Sequence, residues 1–402
     1  MRLNPIGLAA LAATVVSLVP AAGALAAPTD PALGSNPLRP GAVYAATNEP
    51  TGNRIQTFSR AQDGTLTPGD AVPTGGTGSG GFEGSANGVV LASRGGESSP
   101  NNLTGSPNLL LATNTGSSSV SVFRTTGDGL ELLSVQSERL DHPLSVTIHA
   151  GIVYVLNGGR TNCVGGNPTI TGFTLESDGT LVPIPGSTQP VSGGSNSGCA
   201  QISFNPSGDT LVVTEKQQNA IDTYRVGKDG LASPPIVTDT GISGPFGFTF
   251  TQTGKLLTAN NFGGVAGQGA ASSYEIEKDS TLTPVTLNVR NMRSDTCWIV
   301  LTDNGKYAYV TNAMSNDISS YMVRPDGSMT LLQSIAGPAD ELPAPFAIPA
   351  DLSLSGNSQY LYAHNVRDGD VFAFSVQTDG TLVPIQALPR ALPPGAIGLA
   401  AK

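Results

Sequence analysis

The sequence predicts an all-β fold: a seven-bladed β-propeller of four-stranded antiparallel blades. Three observations predict it. A strand-turn-strand unit recurs seven times, its period is near 50 residues, and the C-terminus holds a spare apolar strand that the first copy lacks.

The unit is an apolar strand ending in Asn, a short loop, a second strand ending in an aromatic, and then Asp-Gly-x-Leu. The third copy reads Val153-Tyr154-Val155-Leu156-Asn157, Ile170-Thr171-Gly172-Phe173 and Asp178-Gly179-Thr180-Leu181-Val182-Pro183. The sixth reads Tyr309-Val310-Thr311-Asn312, Ile318-Ser319-Ser320-Tyr321 and Asp326-Gly327-Ser328-Met329. The turn aspartates fall at 63, 128, 178, 229, 279, 326 and 379. Their spacing fits one blade per copy, and the long first step marks an insertion near Ser93 to Pro107. β-Branched and aromatic residues cover a pleated surface, and Asp-Gly supplies the left-handed backbone of a tight hairpin. A further apolar strand precedes most copies, as in Gln201-Ile202-Ser203-Phe204 and Trp298-Ile299-Val300-Leu301. The first copy has none. Gly395 to Ala400 is expected to pair there and close the ring, which removes exposed sheet edges.

Composition agrees. The 402 residues are 39% hydrophobic and 12% charged, with 50 glycines and 30 prolines between short apolar runs. The net charge of -10 is scattered, and no basic cluster suggests nucleic acid. Residues 1–26 read as a signal peptide: Arg2, an apolar stretch Ile6 to Val19, and a small-x-small site at Ala24-Leu25-Ala26. A secreted, extracytoplasmic protein is therefore expected. Residues 27–40 read as a disordered lead-in, and 41–402 as one propeller domain without a membrane span. A monomer is expected. Export makes a disulfide plausible, and Cys163 with Cys199 is the expected pair, on one face of adjacent blades. Cys297 would stay reduced and buried beside the single tryptophan. Three scattered histidines make no zinc site, and no nucleotide fingerprint occurs, so no metal or cofactor is expected. Asn102-Leu103-Thr104 is a glycosylation sequon.

The Tyr-Val-x-Asn strand ends and the Asp-Gly-x-Leu-x-Pro turns resemble those of the lactonase-type seven-bladed propellers, the family of propeller 6-phosphogluconolactonases and carboxymuconate cyclases. The resemblance implies hydrolysis or formation of a small lactone at the central mouth. The family's catalytic signature is eroded here. Where members carry His-Pro-His, this chain has His142-Pro143-Leu144. Gly-Pro-Arg-His becomes Gly198-Cys199-Ala200-Gln201, an Asn-Glu pair becomes Glu215-Lys216, and an Asn-Arg pair becomes Asn312-Ala313.

Strand alternation sends the loop after each second strand, and the loop entering each first strand, to the same face. Catalytic candidates on that face are His142, as an acid-base group, and Glu215, as a general base against a lactone carbonyl. Arg160, Arg367 and His364 are candidates for holding an anionic substrate. The same residues have plain readings too: a loop histidine, a solvated strand-end carboxylate, surface arginines. The expected partner is a small lactone or carboxylate. The alternative is a non-catalytic extracellular propeller that binds a macromolecule.

Overall fold

The computed structural model describes residues 41–93, 108–127, 129–337 and 348–402. The leader and lead-in, most of the insertion, Asn102 and the second turn aspartate lie outside the described residues.

Seven antiparallel sheets follow one another along the chain: the first has three successive strands and the C-terminal one, the other six have four successive strands each, and the third also carries a short fifth strand, Gln189–Pro190. Among the described residues, helix is confined to short 3-10 turns. First and second strands are buried throughout, as in Cys199–Phe204 and Thr210–Glu215, because blades pack against both of their faces. Outer strands such as Leu282–Arg290 mix exposed and half-buried residues.

The repeated residues have specific tasks. Each described turn aspartate accepts the N–H two residues on, as Asp178 does from Thr180 at 2.9 Å and Asp379 from Thr381 at 3.0 Å. The following glycine is left-handed, with φ 94° at Gly179 and 84° at Gly380. In three blades a second-strand tyrosine stitches the blade to the next turn. The hydroxyls of Tyr154, Tyr309 and Tyr362 donate to the carbonyls of Gly230, Gly380 and Gly64.

The ring closes as expected. Leu399–Ala401 pairs antiparallel with Gly41–Ala46, matching Val43 with Ala401 and Ala45 with Leu399. The first blade is thereby built from both ends of the chain.

Innermost strands of blades three to seven share one device: a register shift near the start. It falls between Pro143 and Ser145, Cys199 and Gln201, Pro245 and Phe248, Thr296 and Ile299, and Ala350 and Leu352. A bulge re-aims side chains out of strand alternation. Ala200, Phe246, Cys297, Trp298 and Ala350 consequently meet Ala86, Ala313, Val366 and Ile397 in one apolar cluster contributed by several blades.

Candidate functional site at the central mouth

The strand-end asparagines are structural. Asn114 donates to Ser119 and Ser121, Asn157 to Thr171, Asn260 to Ser272, and Asn312 to Ser319. Each amide therefore lies sideways within its own blade. Glu215 holds the same position in blade four and also turns sideways. It is fully buried, and its carboxylate accepts from Ser192 Oγ at 2.5 Å and from the Gly193 N–H at 2.8 Å. Asp222 lies where four other blades place Ser121, Thr171, Ser272 or Ser319. Its Oδ2 accepts from the Ser192 N–H and from the Tyr224 hydroxyl.

Burial first, and the neighbouring charge of Asp222 second, hold the Glu215 carboxyl well above its usual range. The native state therefore keeps a proton on this site that the unfolded chain gives up above about pH 4.5. Stability is full below that value and falls as pH rises toward neutrality. Asp351 acts in the same sense, since burial pushes it up to about 7. His364, pushed down to about 4 by burial, acts oppositely: its contribution falls as pH drops below about 6.5. Glu215→Gln isolates the first effect. Melting curves at pH 5 and pH 8 are expected to show the wild type losing about 2 kcal/mol more across that interval than the variant. Equal slopes for the two proteins would remove the shared proton from the account.

The mouth itself is built around the connection from blade one to blade two. Residues 74–88 run from an outer strand inward to the innermost strand Val89–Ala92. On the way they bond to blades three, four and six. The Asn87 carbonyl accepts from Val146, the Ala86 N–H donates to Ala200, and the Ser85 carbonyl accepts from Trp298 Nε1. The Gly84 carbonyl accepts from Lys216 Nζ at 3.0 Å.

Glu83 is the hub of this segment. Its side chain is 1% exposed, and Oε1 lies 3.0 Å from His142 Nε2. Its Oε2 accepts from the Asn162 N–H at 3.1 Å, and Asn162 Oδ1 in turn accepts from the Gly84 N–H. Asn162 belongs to the turn Thr161–Cys163, which the Cys163–Cys199 disulfide ties to the innermost strand of blade four. His142 has a left-handed backbone, φ 52°, and keeps 17% of its side chain exposed. Lys216 sits 5.0 Å above the Phe246 ring, and burial lowers its ammonium to about 8, opposed by the nearby acidic groups of Cys297, Asp295 and Glu83. Cys297 donates to Asp295, and burial raises both. An imidazole with a carboxylate partner beside a buried ammonium can move protons and stabilise developing negative charge. Among the described residues no cluster of His, Cys, Asp and Glu could hold a metal ion.

Comparison with known proteins agrees with this architecture. The family model of the seven-bladed β-propeller lactonases matches residues 266–392. The chain is a seven-bladed β-propeller, and over that segment it is similar to the lactonase family. A 6-phosphogluconolactonase of Serratia proteamaculans (strain 568) is 24% identical over 227 residues, which is 54% of this chain and 63% of that relative. The matched part thus spans less than two thirds of the relative's length. Among solved structures, a Bacteroides uniformis putative 6-phosphogluconolactonase superposes with a TM-score of 0.65 at 18% identity, covering 90% of this chain and 99% of the other. A periplasmic gluconolactonase of Pseudomonas aeruginosa gives 0.66 at 15% identity, with 90% and 98% covered. At these identities the two structures establish the shared fold.

In this propeller the expected site residues separate. His142 is at the mouth. Glu215 faces Ser192, Gly193 and Asp222. His364 is fully buried, and its Nε2 is bonded to the Ala396 carbonyl at 2.9 Å, so it supports the C-terminal tail. Arg160 and Arg367 are exposed. Cys163 and Cys199 are bonded as expected, and Cys297 is free and buried. Sequence reasoning missed Glu83 and passed over Lys216. One signal was available: Glu83 is the single charged residue of the Gly-rich run 74–88.

Proposed function

We propose that the protein is an extracytoplasmic lactonase in which His142, oriented by Glu83, activates water at the central mouth. The 3.0 Å contact between His142 Nε2 and Glu83 Oε1 carries this reading. With Nε2–H donating to Glu83, Nδ1 is the basic nitrogen. It takes a proton from water as the water oxygen attacks the lactone carbonyl carbon. The ring C–O bond breaks as the tetrahedral oxyanion collapses, and the imidazolium returns its proton to the leaving alkoxide. The product is the open hydroxy acid. The Lys216 ammonium lends positive potential to this side of the mouth. The leader-like N-terminus and the Cys163–Cys199 disulfide support an oxidising compartment.

Turnover of aliphatic and aromatic lactones tests the reading. His142→Ala is expected to lower kcat by about 10²-fold or more. Glu83→Gln is expected to lower it by about tenfold and to shift the pH profile, because the amide no longer favours the same imidazole tautomer. Glu215→Gln belongs in the same assay: a loss equal to that of His142→Ala would place Glu215 in the chemistry.

A second reading is a binding propeller. The Glu83–Asn87 segment bonds across the mouth, and the family's Arg and His are replaced at Ala200 and Gln201. No turnover of any lactone, with a macromolecular partner recovered in its place, would favour it.

A further inference from the structure

Resting on the lactonase reading, we infer that the substrate carries an apolar tail, seated on a crescent of exposed apolar side chains beside the mouth. The crescent covers blades five and six. Ile242 is 76% exposed, Met292 68%, Met314 65% and Val265 57%. All four lie on loops that open on the mouth face.

Hydrogen bonds make these loops one surface. The Ser243 carbonyl accepts from the Phe262 N–H, which joins the Ile242 loop to the turn that leads into Val265. Ser294 Oγ accepts from the Gly267 N–H, and Ser315 Oγ accepts from the Ser294 N–H, which ties in the loops of Met292 and Met314. Met314 lies so close to Gly264 that a Cβ there would sit 3.2 Å from its sulfur. The crescent borders the packed centre of the ring: Ala313, next to Met314, is buried in the apolar cluster of Phe246 and Trp298 and donates its N–H to the Asp295 carbonyl.

The chemistry selects the occupant. A polyhydroxylated or phosphorylated lactone needs closely spaced donors and cations. Across residues 241–244, 261–269 and 313–316 there is no charged side chain. The two arginines that approach these loops are already engaged: Arg293 is paired with Asp317, and Arg290 lies over the Phe262 ring and donates to the Gln268 carbonyl. Flexible methionines and branched aliphatics suit an acyl or aryl substituent instead.

A series of lactones sharing one ring and bearing no tail, a butyl tail or an octyl tail tests this. Each added methylene is expected to raise kcat/KM about twofold when half buried and about fourfold when fully buried. In Val265→Ser/Met314→Ser, checked for a wild-type melt, the ratio of octyl to unsubstituted kcat/KM is expected to drop about tenfold. Equal kcat/KM across the series, or an unchanged ratio in the variant, overturns the inference while leaving the lactonase standing. Should no lactone be turned over, the lactonase reading falls by itself. Calorimetric binding of the corresponding open hydroxy acids then decides the tail, with tail-dependent affinity lost in the variant supporting it and tail-independent affinity overturning it. Concentration-dependent dimers that the double variant abolishes would make the crescent an interface between copies and also overturn the inference.

Discussion

Deleting residues 393–402 is expected to abolish cooperative folding. The deletion removes the innermost strand of blade one and the pairing of Val43, Tyr44 and Ala45 with Ala401, Ala400 and Leu399. It exposes the surfaces that bury Ile397, Leu399 and three alanines, worth about 5 kcal/mol or more. It also strands polar groups inside. Asp351 loses the Gly398 N–H, and His364 loses the Ala396 carbonyl. Each buried orphan costs about 1–3 kcal/mol. The total rivals the whole stability of an ordinary domain, about 5–15 kcal/mol. A truncated chain that melts cooperatively near the wild-type temperature would show that the ring does not depend on this closure. Leu399→Ala gives a graded version: a soluble protein destabilised by about 2–4 kcal/mol, measured by denaturant unfolding.

Removing the Cys163–Cys199 bond is the second large effect. The bond closes a 36-residue separation, for which loop entropy gives about 4 kcal/mol. Cys163→Ser/Cys199→Ser is therefore expected to melt about 5 °C below the wild type in a chain of this size. The wild type under strong reduction should approach the same value slowly, because both sulfurs are buried. The site should respond as well. The bond holds the turn whose Asn162 fixes Glu83, so the double variant is expected to weaken the His142–Glu83 contact and move the His142 imidazole resonances seen by NMR at fixed pH. Cys297→Ala is the control for a free thiol. A double variant that melts like the wild type would reduce the bond to a decoration, and peptide mapping that links Cys163 to Cys297 would refute the pairing.

The scaffold was legible because its signals are local and repeated. Asp-Gly turns, tyrosine-bearing second strands and strand-end asparagines each do the same work in several blades, so the pattern appears without any knowledge of the ring. The candidate site was legible only in part. His142 was found because it sits in a loop that alternation assigns to the mouth. Glu215 was legible as a carboxylate at a strand end where the other copies carry asparagine. Its direction was not legible, since a strand-end side chain lies within the blade and meets Ser192 of the preceding blade and Asp222 of its own. His364 looked available next to Asn365, but the C-terminal tail, 32 residues later, covers it.

What the sequence determined by itself is the blade: its period, its turns, its strand order and the need for a strand donated by the C-terminus. Those depend on propensity and on contacts within about 50 residues. Tertiary structure alone decided the centre. Bulges near the starts of five innermost strands turn Phe246, Cys297 and Trp298 inward against alternation, and an aperiodic Gly-rich connection brings Glu83 to His142, 59 residues away. No local pattern encodes such meetings, because they arise where seven blades converge and the packing of the ring sets which side chains share the mouth.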